Sequence, residues 1–232
     1  MQVKQFSYAH DNLGYFVFSK RQGIAIDMGA QEELGEFVEQ RGLEVLHVTN
    51  THLHGDHTGG NQGVLETLGG TFLDCRHFTQ GQSIQLDDEV LGILLTPGHT
   101  AESVCFSGPG FLITGDTLFN GTVGNCFSGD LDAFFHSLKL LLDYPGETLV
   151  YSGHDYVKES LNFAQSLESD NPNIQRYLEK YDPGHIVSTL ADELKVNPYL
   201  RFDDPSMIQR LKENGADVSS SLDRFKALMT IY

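Results

Sequence analysis

The chain has 232 residues, of which 40% are apolar and 20% charged, as expected for one large globular domain or for a domain with a smaller companion. Its formal net charge of −17 argues against nucleic acid or an anionic membrane surface as a partner. No apolar run approaches the roughly 18 residues of a membrane span, and the first residues lack a signal-peptide pattern. The three cysteines lack C-x-x-C spacing and fit a reducing compartment, so we expect a cytoplasmic protein.

The first 154 residues predict short strands in two groups. VKQFSYA and YFVFSK flank residues 10–14 and indicate a hairpin, and GIAIDMG predicts a third strand. VLHVTNT is apolar and β-branched, which favours a buried strand. Further strands are predicted at TFLDC, SIQL, LGILLT, SVCFSG, FLITGD and TLVYSG, and helices at residues 31–41, 61–68 and 131–143. Two groups of strands, with helices at the ends of each group, predict an α/β fold of four layers, αββα.

The last 78 residues differ in composition from the rest. They contain only Gly184 and Gly215, whereas residues 1–154 contain 22 of the 24 glycines. Helical periodicity predicts helices at residues 160–168, 173–180, 188–194 and 205–214. Ser188 or Thr189 is the expected N-cap of the third, and Pro205 suits the first turn of the fourth. We therefore expect a catalytic domain over residues 1–154 and a small helical, substrate-binding domain over residues 155–232.

The strongest chemical signal is the segment Thr51-His52-Leu53-His54-Gly55-Asp56-His57, which directly follows the predicted strand VLHVTNT. Three imidazoles and one carboxylate on one short loop form a set of metal ligands. In an extended segment His52, His54 and Asp56 would share one side, whereas His57 would point elsewhere. The spacing therefore indicates a loop that serves two ions.

Three other strands each deliver a polar side chain in a glycine turn. His99 stands in TPGHT after LGILL, Asp116 follows the strand FLIT, and His154 follows the strand TLVYS. Strand ends that converge at one edge of a sheet present ligands from distant parts of the chain. Together with the loop at residues 51–57, these turns predict a metal site.

These motifs carry a family resemblance. THLHGDH, TPGHT, GDTLF and GHDY occur in an order that resembles the metallo-β-lactamase superfamily, over most of residues 45–156. GDTLF, GHDY, NFA and NPYLR are similar more specifically to glyoxalase II, the hydroxyacylglutathione hydrolases, as far as Arg201. The resemblance implies a metallo-β-lactamase sandwich with a C-terminal helical part.

The resemblance also implies the ligand set. It assigns His52, His54 and His99 to one ion and Asp56, His57 and His154 to a second, with Asp116 between them. The implied cofactor is a pair of divalent ions, for which we expect zinc, with iron or manganese as alternatives. Two such ions acidify the water between them to hydroxide near neutral pH, so that no serine or cysteine nucleophile is needed.

The resemblance to glyoxalase II implies hydrolysis of a small-molecule thioester. The leaving thiolate of such a substrate, with a conjugate-acid pKa near 8.5, needs little help from a general acid. Asp56 and Asp116 are the candidate catalytic carboxylates, and we interpret Asp56 as a ligand and not as a proton donor. The family binds the thiol carrier with a tyrosine and a basic residue, and Tyr156 and Arg201 stand at the matching positions of this sequence. Asn125 and Phe127 lie in the expected substrate loop after GDTLF. Asn125 and Asp204 stand where the family offers positive charge, which weakens the case for glutathione itself.

Other functions remain open at this point. A mononuclear iron persulfide dioxygenase on the same scaffold would use two histidines and one carboxylate, which His52, His99 and Asp116 could provide. Lactonases and β-lactamases share the superfamily motifs, and a non-enzymatic metal-binding module is a third alternative. The NPYLR tail favours glyoxalase II. The acyl group, the thiol carrier, the oligomeric state and any role for Cys126 stay undetermined.

Overall fold

The computed structural model describes residues 1–231, whose strands form two sheets. The first sheet has the order β1-β2-β3-β4-β5, with β1 (Gln2–Tyr8), β2 (Asn12–Phe18), β3 (Gln22–Ile26), β4 (Glu44–Thr49) and β5 (Thr71–Leu73). The second comprises β6 (Ser83–Leu86), β7 (Glu89–Leu95), β8 (Val104–Gly108), β9 (Phe111–Gly115), β10 (Leu149–Ser152) and β11 (Ser188–Thr189), in the order β11-β10-β9-β8-β7-β6. The pairs β3/β4, β4/β5 and β9/β10 are parallel, and the other neighbouring strands are antiparallel.

Residues 1–231 form nine α-helices. They are α1 (Gln31–Arg41), α2 (Gly55–Thr58), α3 (Asn61–Leu68), α4 (Leu131–Leu142), α5 (Val157–Leu167), α6 (Pro172–Lys180), α7 (Leu190–Val196), α8 (Pro205–Glu213) and α9 (Ser221–Ile231). Short 3₁₀ helices occur at Cys75–His77 and Pro198–Leu200. Within residues 1–231, every helix is too short or too polar to cross a membrane.

The alternation of side chains along β2 shows why the layers form. Leu13, Tyr15 and Val17 point into the core between the two sheets, whereas Phe16 and Phe18 point into a second core beneath α1 and α3. A strand that is buried on both faces has a nearly continuous apolar sequence, and the sequence NLGYFVF of β2 is of this kind. A third core lies between the second sheet and the helices α4, α8 and α9. The predicted αββα sandwich with helices at its C-terminal end is confirmed.

Two helix boundaries of the helical part differ from the sequence-based expectation, and one open choice of N-cap is decided. The helix predicted from residue 160 begins at Val157, because this buried valine packs into the inter-sheet core. The helix predicted at residues 188–194 begins only at Leu190, since Ser188 pairs with Val150 as part of β11. Of the two candidate N-caps, Thr189 is the cap, and its hydroxyl accepts a hydrogen bond from the Asp192 amide at 3.1 Å.

Helix α9 was not predicted. Phe225 and Leu228 are fully buried in the third core, and Leu222 packs against it. Their spacing of three residues is the helical signal that identifies this segment.

Candidate metal centre

The candidate ligands meet at the carboxyl ends of strands from both sheets. The segment Thr51–His57 follows β4, and Asp116 and His154 follow the parallel neighbours β9 and β10. His99 stands in the turn after β7. A hydrogen bond from the Val104 amide to the Thr51 carbonyl, 2.8 Å long, joins the two sheets at this edge.

The first ligand set combines three imidazoles and one carboxylate. His54 Nδ1 lies 2.9 Å from His52 Nε2 and 3.1 Å from His99 Nε2. Asp116 Oδ2 lies 3.5 Å from His99 Nε2 and 3.9 Å from His52 Nε2. One ligand atom from each of these four residues falls within 4.8 Å of the others. His52 and His99 are buried, so water has limited access to their side of the set.

The second set comprises Asp56, His57 and His154. The Nε2 atoms of His57 and His154 lie 3.1 Å apart. Asp56 Oδ2 lies 3.6 Å from His57 Nε2 and 3.4 Å from His154 Nε2. Asp116 reaches this set as well, with Oδ1 3.4 Å from His57 Nε2 and Oδ2 3.6 Å from His154 Nε2. Asp116 therefore stands between the two sets.

The loop is extended only as far as His54, which corrects one sequence-based argument. Gly55–Thr58 forms a helical turn, α2, so Asp56 does not share one side of an extended segment with His52 and His54. The turn instead carries Asp56 and His57 together toward His154. The amides of His57 and Thr58 donate to the His54 carbonyl, at 3.1 and 3.2 Å, and close this turn.

Outer hydrogen bonds fix the tautomers of four imidazoles. His57 Nδ1 lies 3.1 Å from Asp27 Oδ2, His154 Nδ1 lies 2.8 Å from Asp11 Oδ1, and His99 Nδ1 lies 2.9 Å from the Asn125 carbonyl. An acceptor at Nδ1 requires the proton there and leaves the lone pair on Nε2. His52 follows the same pattern, with Nδ1 3.1 Å from the Thr51 hydroxyl. Because that hydroxyl donates its proton to Asp27, its oxygen is the acceptor for a proton on His52 Nδ1. The four Nε2 lone pairs consequently point into the centre.

This arrangement fits divalent cations and is incomplete without positive charge. Two lone pairs face each other across 3.1 Å between His57 and His154, and Asp116 Oδ1 is a buried oxygen that makes no hydrogen bond within residues 1–231. The backbone also approaches closely, since a Cβ at Gly153 would lie 2.1 Å from that oxygen. Imidazole nitrogens backed by carboxylate or carbonyl acceptors are typical of protein metal ligands.

The pKa values describe the same concentration of negative charge. Burial, with a smaller contribution from neighbouring His57, lowers the pKa of His52 to about 3, so this imidazole keeps its lone pair. Burial also lowers the pKa of His57, but the carboxylates of Asp27 and Asp116 outweigh it and raise that pKa well above its ordinary value. Burial raises and His57 lowers the pKa of Asp116, and the lowering dominates. The raised pKa of His57 thus reflects the carboxylate charge around this imidazole, which is the charge that a bound cation would compensate.

Three supporting residues lack a metal-ligand motif and were not identified from the sequence. Asp11 and Asn12 lie at the β1–β2 turn, and Asp27 lies at the end of β3 in a left-handed conformation with φ of 50°. Asp27 accepts hydrogen bonds from the Thr51 amide at 2.8 Å and from its hydroxyl at 2.6 Å. A buried aspartate after an apolar strand, as in GIAID, is the available signal for such a role.

Comparison with known proteins decides the family. The family model of the metallo-beta-lactamase superfamily matches residues 12–71 and 75–154, and that of the hydroxyacylglutathione hydrolase C-terminus matches residues 155–230. A hydroxyacylglutathione hydrolase of Idiomarina loihiensis is 34% identical over 217 residues, which cover 87% of this chain and 86% of that protein. One of Nitrosococcus oceani is 33% identical over 90% of this chain and 89% of its own length. The chain belongs to the hydroxyacylglutathione hydrolase family.

Solved structures agree on the fold. The crystal structure of ETHE1 from Myxococcus xanthus superposes with a TM-score of 0.70 over 99% of this chain and 90% of its own, at 23% identity. At this identity the likeness concerns the fold alone. The relatives named hydroxyacylglutathione hydrolase confirm the resemblance inferred from the motifs, and membership of this family makes the chain a hydrolase with a divalent metal site.

Two aromatic residues of this family member border the metal centre. Phe127, whose residue surface is 66% exposed, contacts the rings of His54 and His99 at centroid distances of 5.6 and 5.2 Å. Tyr156 stacks parallel to His154 at 5.0 Å, and Phe119 packs against both rings. Tyr156 also lines a cavity of about 400 Å³ together with Asp11, Asp155, Glu159, Lys158, His10 and Tyr181.

The other two candidate substrate residues have different surroundings. The Asn125 carbonyl accepts from His99 Nδ1. Arg201 pairs with Glu168 and lies 3.1 Å from Asp204, and its side chain is only 10% exposed. Asp204 caps α8 by accepting a hydrogen bond from the Ser206 amide at 2.9 Å. Arg201 is thus engaged by two carboxylates of the helical part.

Proposed function

We propose that this chain is a dinuclear metal-dependent thioester hydrolase that acts on acyl thioesters of glutathione or a related thiol. The observation that carries the proposal is the position of Asp116, with carboxylate oxygens within 3.4–3.9 Å of imidazole nitrogens from both ligand sets. A carboxylate between two such sets supports a bridging role. The relatives named hydroxyacylglutathione hydrolase support the substrate class.

Two divalent ions held there would supply a hydroxide at neutral pH and polarise the acyl carbonyl. The chain's own contribution is to hold the lone pairs in place. Asp11, Asp27 and the Asn125 carbonyl keep a proton on the outer nitrogen of each imidazole they contact. This fixes each ring before substrate arrives, so that little reorganisation is needed during the reaction.

Asp56 acts as a ligand in this proposal and not as a proton donor. Burial raises its pKa, but the hydrogen bond from Asn12 and the neighbouring His57 lower it more, so the carboxyl is ionised at neutral pH. A thiolate leaving group needs no strong acid, because its conjugate-acid pKa is about 8.5. Loss of a thiolate is therefore consistent with a site that lacks a poised carboxylic acid.

The surroundings of the metal centre support weak binding of a doubly anionic carrier. Phe127 and Tyr156 offer apolar surface beside the ligands, and we propose that they and Asn125 bind the substrate together with the helical part, residues 155–232. The cavity beside Tyr156 is lined by three carboxylates, those of Asp11, Asp155 and Glu159, and by the cation of Lys158. Glutathione carries two carboxylates, so we expect an unfavourable KM for its thioesters.

Metal analysis combined with a thioester assay tests the proposal. Purified full-length protein should contain two ions per chain by mass spectrometry and hydrolyse S-lactoylglutathione, followed by loss of thioester absorbance. His154→Ala should retain one ion and lose activity by about 100-fold or more. His77→Ala removes an exposed histidine outside both ligand sets and should change neither quantity.

One result would overturn this function. If the saturated wild type held one iron per chain and His57 and His154 variants kept full activity, the dinuclear hydrolase would be excluded. His52, His99 and Asp116 would then be the ligands of a mononuclear site, as in the persulfide dioxygenase alternative.

A further inference from the structure

The turn between β1 and β2, residues Tyr8–Asn12, lies against only one of the two ligand sets. We call it the N-terminal turn. Asp11 Oδ1 accepts from His154 Nδ1 at 2.8 Å, and Asn12 Nδ2 donates to Asp56 Oδ2 at 3.0 Å. The Tyr8 hydroxyl donates to the Asp56 carbonyl at 3.0 Å. Three side chains of one turn therefore contact two ligands of the second set.

The backbone of the turn is anchored to the same ligands. The Leu13 amide donates to the Gly153 carbonyl, and the Asp155 amide donates to the Asp11 carbonyl, each at 2.9 Å. Asn12 and His154 form an isolated β-bridge. These bonds flank His154 on both sides, so the position of the turn and the position of this imidazole are coupled.

The first ligand set has outer partners of another kind. His52 is supported by the Thr51 hydroxyl and His99 by the Asn125 carbonyl, both of which are neutral groups from other parts of the chain. In the second set the outer partners are the carboxylates of Asp11 and Asp27. A carboxylate behind an imidazole raises its basicity as a ligand and fixes its orientation. The imidazoles of the two halves thus contact electrostatically different groups, although Asp27 is linked to both halves, directly through His57 and indirectly through Thr51.

We propose that the N-terminal turn is a positioning element for one half of the metal centre, in which Asp11 and Asn12 set the metal affinity of the Asp56/His57/His154 set and leave the His52/His54/His99 set unchanged. The inference rests on the proposed dinuclear function. Asp11 and Asn12 are positioning residues, because they act through His154 and Asp56. Asp27 differs from them, since it supports His57 and, through Thr51, His52 as well.

Stepwise zinc binding distinguishes these roles. Metal-free full-length protein is titrated with zinc in competition with a chromophoric chelator, and bound zinc is counted by mass spectrometry. Asp11→Ala and Asn12→Ala should each weaken one of the two binding steps by about 10- to 100-fold and leave the other step at its wild-type affinity. Asp27→Asn should weaken both steps.

Combining Asp11→Ala with a substitution of a metal ligand shows which half of the metal centre depends on Asp11. In His154→Ala, which lacks the imidazole that Asp11 supports, adding Asp11→Ala should change zinc binding no further. In His99→Ala, which disrupts the other half, adding Asp11→Ala should weaken the remaining step. A merely structural role of Asp11 would weaken zinc binding in both backgrounds.

Asp88→Ala is the matched control. Asp88 lies in another hairpin turn, between β6 and β7, is exposed, and pairs with Lys20 at 3.0 Å. The substitution removes the same charge without touching a metal ligand, so both zinc affinities should stay at wild-type values.

The outcomes separate the inference from the function on which it rests. A wild type that binds one zinc contradicts the dinuclear function itself. The inference alone is overturned if the wild type binds two zinc ions and the folded Asp11→Ala and Asn12→Ala proteins have the same two zinc affinities as the wild type. It is also overturned if these variants weaken both binding steps equally. If Asp11→Ala does not fold, Asp11→Asn takes its place under the same criterion, since it keeps an acceptor for His154 and removes only the charge.

Discussion

Two buried carboxylates, one at the metal centre and one in the helical part, have opposite surroundings. Asp116 is 7% exposed, and its Oδ1 makes no hydrogen bond within residues 1–231. Glu193 of α7 is fully buried, yet both of its oxygens are saturated. It accepts from the Tyr177 hydroxyl at 2.6 Å, the Ser188 hydroxyl at 2.7 Å, the Gly121 amide at 2.8 Å and Asn197 Nδ2 at 3.1 Å.

The difference separates a proposed metal ligand, Asp116, from a structural carboxylate, Glu193. A buried charge must be compensated, and the protein either supplies the partners or leaves them to a bound ion. Glu193 joins α7 to the loop after β9 with groups of the chain itself. Asp116 faces imidazoles whose inward nitrogens carry lone pairs, so in the proposed function bound cations compensate its charge. Burial alone does not distinguish the two carboxylates; their hydrogen-bond partners do.

The largest expected effect on activity comes from substituting Asp116, the carboxylate with an oxygen that lacks a hydrogen bond within residues 1–231. Asp116→Asn should lower thioester hydrolysis below about a hundredth of wild type and reduce metal content, because a neutral amide cannot compensate two cations. The fold should survive, since the sheets and their cores do not depend on this side chain. Activity assays, metal analysis and circular dichroism check the three parts. Activity above a tenth of wild type with both ions bound would contradict the bridging assignment.

Arg201→Ala tests how much the buried ion pair between Arg201 and Glu168 stabilises the protein. The substitution leaves the buried carboxylate of Glu168 without its cation, which should destabilise the protein by about 3–5 kcal/mol. Arg210→Ala is the control, because its partner Asp170 is exposed and such pairs contribute at most about 1 kcal/mol. Urea unfolding measures both. A raised KM with unchanged stability would instead favour the substrate-binding role predicted for Arg201 from the sequence.

Asn125→Lys adds a cation beside the metal centre, where the family resemblance implies one. A charge-assisted contact to a carboxylate contributes roughly 1.5–3 kcal/mol, so the KM for S-lactoylglutathione should fall about ten-fold or more. Metal content should not change, because it is the main-chain carbonyl of residue 125 that supports His99. Steady-state kinetics decide the matter. A micromolar KM in the unmodified protein would show that other residues already hold the carrier.

The smallest effect concerns pH and Glu193. Burial raises the pKa of Glu193 despite its four donors, so this carboxyl binds a proton more readily in the folded state than in the unfolded state. Its contribution to stability is complete below the unfolded-state pKa, near 4.3, and is lost as the pH rises through the higher folded-state pKa. Glu193→Gln stays neutral, so the stability of the variant relative to wild type should increase with pH over this range. Urea unfolding of both proteins at a series of pH values checks the slope, and a parallel pH dependence would contradict it.

The candidate ligands were recognisable in the sequence because their chemistry is local. His52, His54, Asp56 and His57 lie within six residues, and each remaining ligand follows an apolar strand in a glycine turn. The sandwich was predictable for a similar reason, since strand and helix periodicities depend on neighbouring residues. The metal-ligand motifs and strand patterns together sufficed for the fold class and the family.

Only the tertiary structure identified the supporting groups. Asp11 contacts His154 across 143 positions of the chain, and Glu168 pairs with Arg201 across 33. No periodicity or spacing encodes such contacts, because they arise when sheets and helices pack. The same holds for α2, whose single turn separates Asp56 and His57 from His52 and His54. Sequence alone therefore indicated which residues have the chemistry of ligands, and packing decided which groups orient them and which charges are already compensated.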